Sequence, residues 1–414
     1  MLFVPWAIAL VASVGAGAFV CRALVARRGR IVLHLGLAAL AMGVTVASWL
    51  AVWNAGNRPD TLIAVVAISC GAAAGGFALG AAMLGTMSRR PAGPVVFAPG
   101  PAVSGLHVVL VSDEEPERYD PAAVTAGLAR YEDGDIDLPP EIARPLIYAS
   151  ERSRYHLTGG SPARGAVRAV AASLGSVLRS SGVAEDVSVG FCVGGPYLAN
   201  VVAGIVAAGG RRIVVAPLAP AWSPAFSEAM DAIPVPALAA QGVRIEVARP
   251  LWSSPQISAM VAQRVVSSLG GDRSTDGVVL LSEGDPWEHT RANEEYREQL
   301  TFLIQRVRAE LVHAGVASDR IKRAWLWLDE PDVAEAIRHL AAVGARNIAL
   351  VPVTFPTETI STLTDVRFAA ERAIADTGAS VTVIAPWGND PAVVAALTDT
   401  IEAALQGLEE TEDA

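Results

Sequence analysis

Two nine-residue stretches pair without a gap, 170 residues apart: VVLVSDEEP at 108–116 and VVLLSEGDP at 278–286. Each runs as an apolar strand into an acidic turn. Turns at the carboxyl ends of parallel strands are where α/β sheets bind ligands. The acids available there are Asp113, Glu114, Glu115, Glu283 and Asp285, with His289 six residues beyond Glu283. A carboxylate can bind a hard divalent metal through oxygen, and it can act as a base where burial raises its pKa. A His would serve both tasks near neutral pH. His289 reads either as a group returning to the turn or as a solvated residue ahead of a helix. The 113–115 turn reads either as a solvated acidic turn or as a rim that attracts metal.

The elements that position these turns follow from the hydropathy pattern. Apolar strand-like runs at 108–112, 187–193, 212–217, 243–248, 278–282, 323–328, 347–353 and 381–386 alternate with amphipathic helical stretches. That alternation is the pattern of doubly wound parallel sheets. The strands form two sets of four. LANVVAGIVAAGGRRIVVAPLAP (198–220) repeats in VAEAIRHLAAVGARNIALVPVTF (333–355), helix, Gly-Arg turn, strand and Pro in the same order. Spacing this long predicts two duplicated lobes with a cleft between their strand ends.

Residues 1–90 are of another kind. They hold seven Arg and one acid, Asp60, and three apolar stretches at 2–21, 31–53 and 61–87. Each reaches the ~20 residues that span a bilayer as a helix. Arg22, Arg27, Arg28 and Arg30 follow the first stretch, and Arg89 and Arg90 follow the third. The positive-inside rule then puts the N-terminus outside and everything after residue 90 in the cytoplasm, on a multi-pass plasma (inner) membrane protein. Small residues in GAAAGGFALGAAMLG (71–85) suit close packing of helices in lipid. His34 reads as an interfacial side chain near the start of the second span.

The expected organisation is a transmembrane anchor at 1–90, a Pro/Gly-rich linker at 91–105, a first lobe at 106–265, a second at 266–408, and an acidic tail at 409–414. Beyond residue 90 there are 25 basic and 41 acidic residues. That balance argues against nucleic acid, whose binding draws on basic patches. The three Cys have no zinc or iron–sulfur spacing. EDGDID (132–137) imitates part of a calcium loop but lacks its continuation, and reads as a polar turn.

Four further segments carry a resemblance. RYHLTGGSPARGAVRAV (154–170) resembles the Tyr, Gly-Gly, Ser-Pro motif of ferrochelatases and the related class II tetrapyrrole chelatases, through Tyr155, Gly159, Gly160, Ser161 and Pro162. RRIVVAPLAPAWSPAFSE (211–228) is similar to the segment lining that family's porphyrin cleft, and includes Trp222 and Ser223. WLDEPDVAEAIRHLAAVGARNIALVPV (327–353) resembles its Trp-Leu, Glu-Pro-Asp, helix and strand. FPTETISTLTDV (355–366) aligns without gaps to Phe-Val-Ser-Asp-His-Ile-Glu-Thr-Leu-Tyr-Glu-Ile. The resemblance implies two flavodoxin-like, chelatase-like α/β lobes behind the three transmembrane helices. It also implies a tetrapyrrole, porphyrin or haem, in the cleft, and a divalent metal.

This sequence departs from the family at its reactive positions. Where the family reads Ser-Ala-His-Gly-x-Pro, Ser282, Gly284 and Pro286 fit with one residue deleted, and Glu283 takes the place of the His. Thr359 aligns with the family's second His, Ser361 with its acid, and Glu358 with its Asp. Glu283 and Ser361 are therefore the altered catalytic positions, and Glu283, Glu358 and His289 the candidate metal ligands. Tyr155 and the glycines could let backbone approach a large ring, or form only a turn ahead of a helix. Trp222 and Trp287 could stack on the ring or pack in a lobe core.

Three functions follow as expectations. The first is a membrane-tethered ring-binding protein with metal insertion weakened or lost. The second is an active chelatase working through Glu283, with Glu358 or Glu115 beside it. The third is a non-catalytic interaction module of a membrane complex. The partners expected are the bilayer, a tetrapyrrole and a membrane protein.

Overall fold

The computed structural model describes residues 3–25, 28–54, 59–87, 95–113, 115–128, 140–184, 186–269, 275–283, 291–326 and 331–410. The chain forms two compact units. One comprises residues 1–93 and 118–159, the other 94–117 and 160–414.

The first unit is helical. Three apolar helices, α1 (Phe3–Val25), α2 (Arg28–Asn54) and α3 (Pro59–Met87), form where the three apolar stretches lie. Among the described residues two segments are long and apolar enough to cross a membrane, Ala7–Val25 and Leu33–Leu50. Within α3, the described apolar stretch runs Val66–Ala81. Close approach of α1 and α3 depends on glycine. A Cβ on Gly17 would strike the Ala73 carbonyl, and one on Gly76 the Val14 carbonyl. The small-residue run thus serves backbone contact between helices.

Two more helices, α4 (Pro121–Leu128) and α5 (Pro140–Thr158), belong to the same unit, although the strand pattern assigns 118–159 to the first lobe. Long-range contacts account for this. Tyr148 is buried with Cys21, Val25 and Ala81. The last carbonyls of α1, which lack partners within the helix, are taken up from here. Arg152 Nη1 donates to Ala23 O at 2.7 Å and Leu24 O at 2.9 Å, and the Tyr119 hydroxyl donates to Val25 O at 2.9 Å. The guanidinium also complements the negative end of the α1 dipole.

The second unit holds all eight strands expected from the sequence. The first sheet is β1 (Val103–Ser112), β2 (Asp186–Phe191), β3 (Gly210–Pro217) and β4 (Arg244–Val247), in the order β2-β1-β3-β4. The second is β5 (Gly277–Ser282), β6 (Ile321–Trp325), β7 (Asn347–Pro352) and β8 (Ser380–Val383), in the order β6-β5-β7-β8. All pairings are parallel. The identical order makes the duplication structural.

It extends to single bonds at the strand ends. Cys192 N donates to Ser112 O and Leu218 N to Val111 O. In the second sheet Leu326 N donates to Ser282 O and Val353 N to Leu281 O. Asp113 is therefore to the first lobe what Glu283 is to the second.

β5 is buried along its whole length and β1 from Val108 to Ser112, and these stretches read as continuous apolar runs, as in sheets covered on both faces. One core joins the lobes. It takes Leu106, Val108 and Leu110 of β1, Val278 and Leu280 of β5, and Val167, Val170 and Leu174 of α6 (Ala163–Ser180). The C-terminal helix Pro391–Glu410 contributes Val393, Leu397 and Ile401. Though last in the chain, it packs against β3, β4 and α6 of the first lobe. The lobes are thus held together by a common hydrophobic centre, and their β1 and β5 turns share one unit.

Candidate active site

Glu283 follows β5 directly, where the ladder stops and the backbone turns out of the sheet. Its amide donates to Thr354 Oγ1 at 3.2 Å, which ties the turn to the segment after β7. Ser282, the last residue of β5, is fully buried, and its hydroxyl has no hydrogen-bond partner among the described residues.

Burial raises the Glu283 carboxyl from the ordinary carboxylate range to about 7, and the neighbouring negative charges of Glu115 and then Asp113 add to the rise. The structure thus brings together the turns of β1 and β5, as the opening sequence pair suggests. Asp113 accepts a short hydrogen bond from Ser223 Oγ, and the same oxygen caps the helix Pro224–Asp231 by accepting from Phe226 N at 3.1 Å. Glu115 Oε1 accepts from Ser161 Oγ at 2.6 Å and from Ile360 N at 2.6 Å.

The turn that carries these acids is clamped from beneath. Arg164, 6% exposed, donates from Nε to Glu115 O at 3.1 Å and from Nη1 to Gly195 O at 2.8 Å; Nη2 donates to Val193 O at 2.5 Å. Its guanidinium also lies over the Phe191 ring, 4.1 Å from the centroid. Gly160 has φ +127°, and a Cβ there would stand 2.6 Å from Glu117 O. The sequence marks Gly160 but not Arg164, which reads as one polar position of an amphipathic helix. An Arg at the second position of the helix, directly after Gly-Gly-Ser-Pro, is the sequence signal for it.

Ser361 is 6% exposed and stands at the start of an irregular turn. Thr359 N donates to Thr362 Oγ1 at 2.8 Å, Thr362 N to Thr359 Oγ1 at 3.2 Å, and residues Thr362–Val366 wind as a π-helix. Single π turns gather at functional sites.

The remaining candidates divide. Glu358 is 45% exposed in its side chain and pairs with Arg367 at 3.5 Å, so its charge is directed to the surface of the helix Arg367–Thr377. Trp222 packs against Phe226, with ring centroids 5.4 Å apart, and joins the core over β3. Its amide donates to Gln299 Oε1 at 2.9 Å. Tyr155 and Gly159 fall in the first unit, where Tyr155 is buried edge-on to Tyr119 at 6.1 Å. Ser161 and Pro162 belong to the second unit, Ser161 bound to Glu115 and Pro162 preceding α6. Trp287 and His289 lie outside the described residues, as do Glu114 and the EDGDID segment. Among the described residues no three His, Cys, Asp or Glu side chains stand close enough to hold a metal ion. A separate groove of ≈ 460 Å³, between the segment after β4 and the C-terminal helix, includes none of these candidates.

A carboxyl that titrates near 7 can take up and release a proton at neutral pH. It also leaves a mark on stability. The folded pKa of about 7 lies above the ordinary value of 4.5. The folded state therefore binds this proton more tightly than the unfolded chain. The resulting stabilisation is complete below about pH 4.5 and is lost as pH rises through about 7. The denaturant midpoint of the wild-type protein is expected to fall between pH 5 and pH 8 relative to that of Glu283→Gln, measured by tryptophan fluorescence at each pH.

Comparison with known proteins agrees with this architecture. A family model described as ferrochelatase matches residues 141–405. The ferrochelatase of Thermosynechococcus vestitus is 25% identical over 270 residues, covering 62% of this chain and 69% of that protein. The ferrochelatase of Gloeobacter violaceus is 25% identical over 257 residues, covering 56% of this chain and 76% of that protein. Among solved structures, SirB from Bacillus subtilis with Fe3+ shares 13% identity at a TM-score of 0.46, covering 74% of this chain and 98% of that one. DR2241 from Deinococcus radiodurans, a multi-domain protein with structural similarity to chelatases, shares 15% identity at 0.46, covering 72% and 55%. With its duplicated α/β lobes, its motif order and a family match over residues 141–405, the chain belongs to the ferrochelatase family.

Proposed function

We propose that this chain is a membrane-tethered chelatase. It holds a tetrapyrrole against the carboxyl ends of β1 and β5, and Glu283 accepts the pyrrole protons released as a divalent metal enters the ring. The observation that carries this reading is the Glu283 carboxyl, raised to about 7 by burial with Glu115 and Asp113 beside it. Metal insertion releases two protons, and a base of this pKa accepts them one after the other at neutral pH, passing each to solvent before taking the next. Family membership supplies the substrate class, and the first two helices have the length and composition of an anchor. A greasy macrocycle partitions into lipid, so a tether at the bilayer suits its receipt and delivery. The Arg clusters flanking the helices favour an outside N-terminus and cytoplasmic lobes at the plasma (inner) membrane.

A second reading has its own support. Position 361, where the family carries an acid, holds the buried hydroxyl of Ser361. Loss of that carboxylate favours a protein that keeps the ring and has weakened or lost insertion. An absorbance titration of the full chain in detergent with metal-free porphyrin tests both. A shifted Soret band is expected under either. Conversion to the metallated spectrum on adding ferrous iron, cobalt or zinc, faster than without protein, selects the first. No shift with folded protein overturns both.

A further inference from the structure

The Glu115 side chain joins the two lobes. It leaves the turn after β1 and accepts, on one oxygen, from Ser161 ahead of α6 and from Ile360 in the second lobe, each at 2.6 Å. Ile360 is 1% exposed and opens the turn that continues into the π-helix Thr362–Val366. A backbone amide bound by a carboxylate is a charge-assisted contact, shorter and stronger than an amide–carbonyl bond. Nor is the acceptor side free to follow a moving partner. Buried Arg164 holds the Glu115 carbonyl and the 193–195 turn, and Gly160 lets the chain pass against Glu117 O. On the donor side, the reciprocal Thr359–Thr362 bonds fix the backbone around Ile360. Two stiff turns from opposite sheets therefore meet at one carboxylate, beside Glu283.

We propose that Glu115 is a clasp that sets the spacing of the two strand-end turns and so positions the ring, acting as a positioning residue through its bond to Ile360. This rests on the tetrapyrrole reading above. A flat ring bound between two turns needs their separation fixed to within a fraction of an ångström. Other polar bonds cross between the lobes, Trp222 N to Gln299 Oε1 and Arg264 Nη2 to Asp390 Oδ2 among them. Glu115 ties the β1 turn itself to the turn at Ile360.

The test uses the full chain in detergent and three variants. Glu115→Gln keeps an acceptor oxygen at the same reach. Glu115→Ala removes it, and Glu115→Asp withdraws it by one carbon. Amide hydrogen exchange is followed for the peptide containing Ile360, and the affinity for metal-free porphyrin by the Soret shift. Exchange at Ile360 is expected to rise about tenfold or more in the Ala and Asp variants and to stay near wild type in Gln. Porphyrin affinity is expected to weaken about tenfold in Ala and Asp and to recover in Gln, the loss of one hydrogen bond of this kind. The Asp variant decides the matter should Ala fail to fold. Unchanged exchange at Ile360 overturns the clasp. Faster exchange with unchanged affinity overturns its positioning role. A wild-type protein that binds no porphyrin sinks the tetrapyrrole reading instead, and the exchange arm still decides whether Glu115 holds the turns together.

Discussion

Glu283→Gln is expected to slow metal insertion by about 10²–10⁴-fold, the contribution of one positioned general base, while porphyrin affinity stays close to wild type. Gln keeps the volume and an acceptor oxygen, so the turn and the Glu283 amide bond to Thr354 survive. What is lost is the site of proton uptake. The pH profile sharpens the expectation. Insertion by the wild-type protein rises with pH through about 7 as Glu283 ionises, because only the carboxylate accepts a proton. The variant is expected to lack that limb, with its residual rate following the uncatalysed reaction. Initial rates of zinc insertion, read from the visible bands between pH 5.5 and 8.5, check both parts. A variant with the wild-type rate removes Glu283 from the chemistry.

Gly160→Val is expected to abolish porphyrin binding and to destabilise the second unit. Two costs add at this position. A β-branched residue held at φ +127° carries about 1–3 kcal/mol of backbone strain. Its Cβ would also stand 2.6 Å from Glu117 O, and relief by backbone shift costs about 1–3 kcal/mol more. The shift falls on the segment 115–117, which is bound to Ser161 and Arg164 on one side and to Ile360 on the other. The acid turn is therefore displaced even where the sheet survives. Gly159 gives the control. A Cβ there meets nothing within 4 Å, so Gly159→Ala carries strain from its φ of +77° but no collision. Thermal midpoints and Soret titrations of the two variants separate strain from displacement.

The sheets were legible because parallel strands covered on both faces cannot alternate. β5 is buried along its length and β1 over 108–112, so these apolar runs stand out and the duplicate 108–116 and 278–286 can be seen without structure. Glu283 was legible for the same reason, since the residue after such a run lies at the strand end. The partner of Glu283 was harder to read. Asp113, Glu114 and Glu115 are adjacent acids, and which of them reaches across depends on Arg164 and Gly160 fixing the turn. Those are contacts over 49 and 43 residues of chain or more, and local spacing does not encode them.

Glu358 shows the reverse case. Its alignment suggested a metal ligand, but Arg367 nine residues on returns along the following helix to pair with it at the surface. Trp222 satisfies its ring against Phe226, four residues away on a helix capped by Ser223. The placement of 118–159 with the apolar helices was hidden as well. It rests on Tyr119, Tyr148 and Arg152, single side chains that take up the end of α1 across about a hundred residues of sequence.

The measurement that bears most directly on the central claim is the initial rate of metal insertion into a metal-free porphyrin by the full-length chain in detergent. It is made anaerobically with ferrous iron and, in parallel, with zinc, each against a protein-free control at neutral pH. The expected result is insertion faster than the control, with the gain lost in Glu283→Gln. A rate equal to the control, with the Soret shift of a bound ring still present, contradicts the claim and leaves a ring-holding protein in which the turn after β5 no longer does chemistry.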